Sequence, residues 1–300
     1  MKRFIPLFLS CLLLTAFALP APAATKKSGS TSSSKTTSTS KTPPKKDVPE
    51  AFPAVDGKGI PVITAGSAIV VDAASGKVLH EVNADQHRPV ASTQKLLTAL
   101  IVAESGDLDE KIRVEASDTW AEPTKLYIKP GEVYSRHDFL NILLVHSMND
   151  VARALARDNA GSVEAFGARM NARAAQLGMQ NSNFVNPNGL PAPGQYSTAR
   201  DMARVALIAY RNRTIRNIVC QKSVTWRYND GRVRVFETTN QVLKKFPPCN
   251  GMKTGTTDAA GHCLISSASY GGRDVIVVVL GDNRNVWVDS HRLLAWGLSS

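Results

Sequence analysis

The chain opens on an apolar run, Phe4 to Leu19, set between the basic pair Lys2-Arg3 and the small residues Ala21-Pro22-Ala23. At about 16 residues the run falls short of the roughly 20 that span a bilayer, so residues 1–23 read as a secretory signal ending in a signal-peptidase site. Residues 24–60 carry no hydrophobic periodicity: Ser, Thr and Lys dominate from Thr25 to Lys46, with Pro43, Pro44, Pro49 and Pro53 around its end. Such a segment buries too little apolar surface to offset its ordering entropy, which predicts a disordered linker. The remaining 61–300 read as one folded domain.

Within that domain the period switches. Ala68-Ile69-Val70-Val71 and Val78-Leu79, separated by Ala74-Ser75-Gly76, predict a β-hairpin. Leu96 to Ala103 follow Lys95 almost without a polar break and predict a buried helix with Ser92 in its first turn. Further helices are expected over 138–145, 151–158, 163–177 and 198–210, the last opened by Thr198 and Asp201 at capping-box spacing. Strands return at 224–228, 233–237, 251–254, 263–270 and 275–280, and a helix over 286–296 closes the chain. Strands at both ends of a helical block predict an α+β fold, an antiparallel sheet flanked by helices with a helical subdomain.

The formal charge of +11 invites a nucleic-acid reading. Residues 1–46 hold eight Lys or Arg and no acid, which leaves 28 basic against 25 acidic residues in the rest. The folded part is nearly balanced, so no nucleic-acid partner is expected. The basic linker offers a weak hold on anionic membrane or wall polymer, with a solvated spacer as the plainer reading. Cys220, Cys249 and Cys263 follow the signal, and their spacing selects no pairing. The chain has no Cys-x-x-Cys or His-Glu-x-x-His, so neither a metal nor another cofactor is expected.

Three short motifs carry the chemistry: Ser92-Thr93-Gln94-Lys95, Ser147-Met148-Asn149 and Lys253-Thr254-Gly255. Residues i and i+3 share a helix face, so the Lys95 amine reaches the Ser92 hydroxyl. Buried among leucines and set near a second cation, Lys253, that amine would lose its proton and serve as a base. Ser147 and Asn149 fall where one helix gives way to the next. A hydroxyl there can relay a proton, and a carboxamide can clamp a substrate peptide bond. Lys253 and Thr254 lie on a strand whose edge could pair with an extended peptide while the ammonium and hydroxyl receive a carboxylate; Gly255 permits close approach. Each piece alone is as well explained as a helix cap or strand end. Their joint occurrence in this order is not.

The three motifs are those of class A β-lactamases and penicillin-binding proteins, and the surrounding stretches resemble the serine D-alanyl-D-alanine carboxypeptidases, the low-molecular-mass penicillin-binding proteins. The likeness extends over Arg88–Thr98, Ser147–Ala152, Asn186–Leu190, Ser197–Asp201 and Gly251–Gly261. It implies a β-lactamase/transpeptidase-like fold and an acyl-enzyme on Ser92. Lys95 would be the base and Ser147 the relay. Asn149, Lys253, Thr254 and Gly255 would bind substrate, and the backbone N–H groups of Ser92 and Thr256 would form an oxyanion hole. The implied partners are the D-Ala-D-Ala ends of peptidoglycan stem peptides, with β-lactams as acylating inhibitors, in the periplasm or cell-wall space. Many members of that family continue into a C-terminal β-rich domain, whereas the sequence here stops at Ser300. That resembles the endopeptidase relatives that cut D-Ala-diaminopimelate crosslinks, so a DD-endopeptidase stands as the alternative to a carboxypeptidase. A β-lactamase reading lacks its Glu-x-x-Leu-Asn motif between Asn149 and Lys253, and a non-catalytic β-lactam sensor would not need Lys95, Ser147 and Lys253 together.

Overall fold

A computed structural model of the chain describes residues 55–300. The expected signal and the linker up to residue 54 lie outside the described residues. Residues 55–60, grouped with the linker by composition, form a turn in which the Asp56 carboxylate accepts from the Lys58 and Ile60 N–H groups, closed by a bridge between Val55 and Pro61.

In chain order the elements are β1 (Ser67–Asp72), β2 (Val78–Val82), a 3-10 turn (Ala91–Gln94), α1 (Lys95–Glu104), β3 (Lys111–Arg113), a second 3-10 turn (Ala116–Thr119), β4 (Val133–Ser135), α2 (Arg136–His146), α3 (Asn149–Ala160) and α4 (Val163–Gln176). They continue with α5 (Ala199–Arg211), α6 (Arg213–Val219), β5 (Ser223–Arg227), β6 (Val233–Glu237), α7 (Gln241–Lys245), β7 (Cys249–Thr257), β8 (Gly261–Tyr270), β9 (Arg273–Asp282) and α8 (Val286–Ser299). The expected strands and long helices are present. The short elements β3, β4, α6 and α7 had no periodic signal to announce them. At α5 the expected capping box forms only by half. Thr198 accepts from the Asp201 N–H, but the Asp201 carboxylate turns to the Asn181 N–H, the Ser182 hydroxyl and Arg204.

Five strands form one antiparallel sheet in the order β2-β1-β9-β8-β7, so the first and last strands of the domain lie side by side at its centre. Alternation divides the sheet's residues between two cores. Ala68, Val70, Leu264, Val277 and Val279 pack with Leu293 and Leu294 of α8 on one face. Ile69, Val71, Ile265, Ile276, Val278 and Leu280 face the helices, where α1 is buried from Lys95 to Val102 and α2, α3 and α5 close around it. Registry then places the chemistry. Lys253 pairs with Ile265, and directly opposed residues share a face, so the lysine points into the helical side of the sheet. Strand β7 is the sheet edge. None of the described helices is long and apolar enough to cross a membrane.

The fully buried Ile276 sits on β9 between β1 and β8. Ile276→Ala is expected to cost about 2–5 kcal/mol, read as a lower urea midpoint at unchanged slope.

Candidate active site

Ser92 lies on the 3-10 turn ahead of α1, one step outside the helix expected for it. The pairing with Lys95 is tighter for that reason: with three residues per turn, positions i and i+3 eclipse. The Lys95 Nζ stands 2.8 Å from the Ser92 Oγ. Holding this turn requires Ala91 at φ +48°, a left-handed conformation that costs about 1–3 kcal/mol for a residue with a side chain. Its neighbours enforce it. A Cβ on Gly255 would sit 2.8 Å from the backbone nitrogens of both Ser92 and Thr93, and one on Gly189 would come within 2.9 Å of the Ser92 nitrogen. Both glycines are thus pressed against the serine's own backbone. The loop carrying Gly189 is tied to the same turn and helix, because Gln94 Nε2 donates to the Asn186 carbonyl, Thr98 Oγ1 to the Pro187 carbonyl and Ser92 Oγ to the Asn188 carbonyl.

Ser147 ends α2 in a left-handed conformation, φ +71°, its N–H bonded to the Leu143 carbonyl. This brings its hydroxyl between two lysines. Lys253 Nζ donates to Ser147 Oγ at 2.9 Å and Lys95 Nζ at 3.3 Å. The pair is buried almost completely, at 0% and 1% exposure. Burial disfavours an ammonium in each case. Desolvation, assisted by the Lys253 charge, holds the Lys95 amine well below its ordinary value, against a weaker upward pull from Asp150. Desolvation brings Lys253 down to about 7. The conditions for a lysine base, inferred from sequence, are therefore in place.

Asn149 lies between Lys95 and a neighbouring loop. Its Oδ1 accepts from Lys95 Nζ at 2.6 Å, while Nδ2 donates to the carbonyls of Glu122 and Pro123. Both ends of the carboxamide are engaged, so it orients Lys95 and that loop. The adjacent Asp150, 1% exposed, accepts from the N–H groups of Leu126, Tyr127 and Ile128. Asn149 and Asp150 together pin the loop that forms one wall of the site.

A cavity of about 330 Å³ opens over this arrangement, lined by Ser92, Ser147, Asn149, Thr254, Gly255 and Thr256, with Pro123, Thr124, His146, Leu190, Thr239, Thr257, His262 and Trp287 around them. Every sequence-nominated residue except the two buried lysines lines it. Thr254 Oγ1 lies 2.5 Å from Thr239 Oγ1, and Thr256 Oγ1 lies 3.0 Å from His262 Nδ1. Thr239, His262 and Asp150 escaped the sequence reading. His262 comes opposite Thr256 only through the β7–β8 register, and Thr239 sits in an unpatterned loop. The cysteine question also resolves: all three are free, with the buried Cys249 and Cys263 thiols pushed up to about 11 by desolvation.

Residues 55–284 match the sequence pattern of peptidase family S11, D-alanyl-D-alanine carboxypeptidase. The chain is 32% identical over 240 residues to D-alanyl-D-alanine carboxypeptidase DacF of Bacillus subtilis, a match covering 78% of this chain and 62% of the relative. It therefore spans less than two thirds of that relative's length. With the D-alanyl-D-alanine endopeptidase of Escherichia coli it shares 33% identity over 243 residues, 79% of this chain and 78% of the relative. The crystal structure of a D-alanyl-D-alanine carboxypeptidase from Mycobacterium tuberculosis superposes with a TM-score of 0.77 at 31% identity, covering 80% of this chain and 93% of that one.

Two outcomes test this geometry. Gly255→Ala is expected to slow modification of Ser92 by a serine-directed fluorophosphonate at least about tenfold, seen by mass spectrometry, while circular dichroism stays native, because the new methyl would displace the serine's backbone. A lysine with a lowered folded pKa binds fewer protons folded than unfolded, so stability rises with pH between about 7 and the ordinary 10.5. The midpoint of thermal unfolding should accordingly climb from pH 7 to 9, and Lys253→Met should flatten that climb.

Proposed function

Because the chain belongs to the D-alanyl-D-alanine carboxypeptidase family, we propose that it is a secreted serine DD-peptidase that removes the terminal D-alanine from peptidoglycan stem peptides. The observation that carries the reading is the Ser92 hydroxyl 2.8 Å from a buried, pKa-depressed Lys95 amine. In the proposed cycle the neutral Lys95 takes the Ser92 proton as Oγ attacks the carbonyl between the two D-alanines. The Ser92 and Thr256 N–H groups receive the oxyanion. Ser147, between the two lysines, passes the proton to the leaving amine, and the C–N bond breaks to leave an ester on Ser92. Water, deprotonated by Lys95, then hydrolyses that ester. Thr254, in the cavity wall, holds the terminal carboxylate with the charge of protonated Lys253 buried behind it, and the open edge of β7 aligns the peptide backbone. β-Lactams acylate the same serine. In this reading residues 1–23 are the export signal, 24–60 the tether and 61–300 the catalytic domain, working in the periplasm or cell-wall space.

One observation favours a second reading. A relative of 33% identity, that of Escherichia coli, is named a D-alanyl-D-alanine endopeptidase, which supports a DD-endopeptidase acting on crosslinks.

The deciding assay measures D-alanine release from diacetyl-L-Lys-D-Ala-D-Ala beside cleavage of crosslinked muropeptide dimers. D-alanine release that falls at least about a thousandfold in Ser92→Ala is expected, as for loss of a nucleophile. Dimer cleavage without it would establish the endopeptidase, and neither activity would defeat both. The rate of benzylpenicillin acylation should fall on acidification, because protonating Lys95 removes the base.

A further inference from the structure

Trp120 is 70% exposed, yet it is held between two rigid clamps. It follows the 3-10 turn Ala116–Thr119, whose Asp118, 1% exposed, takes both Nε and a terminal nitrogen of Arg157 at 2.9 Å. Arg153 Nε donates to the Ser117 carbonyl of the same turn. On its other side the chain is fixed by Asn149 at Glu122 and Pro123, and Lys125 Nζ reaches back to the Thr119 carbonyl at 2.9 Å. Among the described residues the indole ring joins none of the aromatic pairs. A large aromatic surface displayed on a preorganised turn is the form of a ligand platform.

Beside it runs a groove of about 260 Å³, lined by Trp120 with Ser117, Arg153, Arg157, Ser162 and Glu164 among others. Its other charged walls are Glu115 and Asp118, so with Glu164 three acids face the two arginines and a free anion has no net attraction. One apolar ring face under a rim of mixed donors and acceptors suits a neutral amphipathic ligand. A sugar fits that description, since it offers a face of C–H groups and a girdle of hydroxyls and amides.

We propose that this groove is a saccharide subsite that receives the N-acetylated sugar at the far end of the stem peptide while its D-alanyl end lies at Ser92. This rests on the peptidase reading and extends it. The spacing agrees. Helix α3 runs from Asn149 at the catalytic cavity to Arg157 at the groove, eight residues or about 12 Å. Four extended stem residues between the scissile carbonyl and the sugar span at most about 14 Å. The loop bearing Trp120 also supplies Pro123 and Thr124 to the cavity wall, so one short segment touches both ends of the substrate. Binding at the sugar end would raise the effective concentration of the reacting end without touching the chemistry.

The test compares kcat/KM of the full chain on a disaccharide-bearing pentapeptide and on the same peptide without sugar, in the natural protein, Trp120→Ala and Trp120→Phe. We expect Trp120→Ala to lose roughly fivefold to tenfold on the sugar-bearing substrate alone, the scale of one aromatic contact. Trp120→Phe should retain most of the preference, and benzylpenicillin acylation should be unchanged in both. Equal rates on the two substrates in the natural protein, or equal losses on both in Trp120→Ala, would overturn the subsite. A fluorescence titration with the peptide-free disaccharide needs no turnover. If neither peptide is cleaved, the carboxypeptidase reading fails, and saturable binding abolished in Trp120→Ala would still support the subsite, whereas no binding would sink it.

Discussion

Two lysine amines buried within reach of one serine hydroxyl, with no carboxylate among the described residues in an ion pair with either, form the constraint around which this domain is organised. Placing ammonium groups out of water is expensive, and proteins usually relieve it by pairing or by deprotonation. Here the nearest acid, Asp150, spends its oxygens on backbone N–H groups of the 126–128 loop. Deprotonation is the remaining outlet, and a neutral lysine beside a serine is what acyl transfer needs. The two hydrophobic cores hold this disfavoured pair in place. Strand β7 delivers Lys253 from the sheet, and the buried α1 delivers Lys95 from the helices.

Two of the four non-glycine residues with left-handed backbone among the described residues sit at the same place, the others being Asn83 and Tyr127. Ala91 and Ser147 both adopt left-handed backbone beside the reactive groups. In each case the surroundings over-determine the conformation, through Gly189 and Gly255 against the first and the α2–α3 junction around the second. Asn149 then links the halves, with its oxygen on Lys95 and its nitrogen on the wall loop. The loop that shapes the cavity is therefore mechanically part of the motif that activates the base.

Sequence alone revealed the sheet, the long helices and the three motifs, because each has a periodic or spacing signature. The short unbroken apolar run of β9 behind Gly271-Gly272 and the longer one of α1 leave few alternatives. What escaped depends on tertiary registry. His262 meets Thr256 across a strand pair, Thr239 meets Thr254 through a loop, and Asp150 serves backbone groups over 20 residues earlier in the chain. None of these contacts has a local pattern. The bonds of the Asn149 amide to the Glu122 and Pro123 carbonyls escaped as well, since those carbonyls belong to a loop without regular structure.

The sheet order has a consequence for how the protein comes into being. Ile69 of β1 lies opposite Val278 of β9, a pairing that closes a loop of roughly 210 residues and makes folding slow compared with local contacts. The central pair of the sheet cannot form until nearly the whole chain has been synthesised, so the first strand must wait without its partner for the last. A polypeptide built this way remains threadable until its C-terminal strand and helix are free. Under the proposed export, the connectivity that delays folding would suit passage through a narrow channel before the site is assembled.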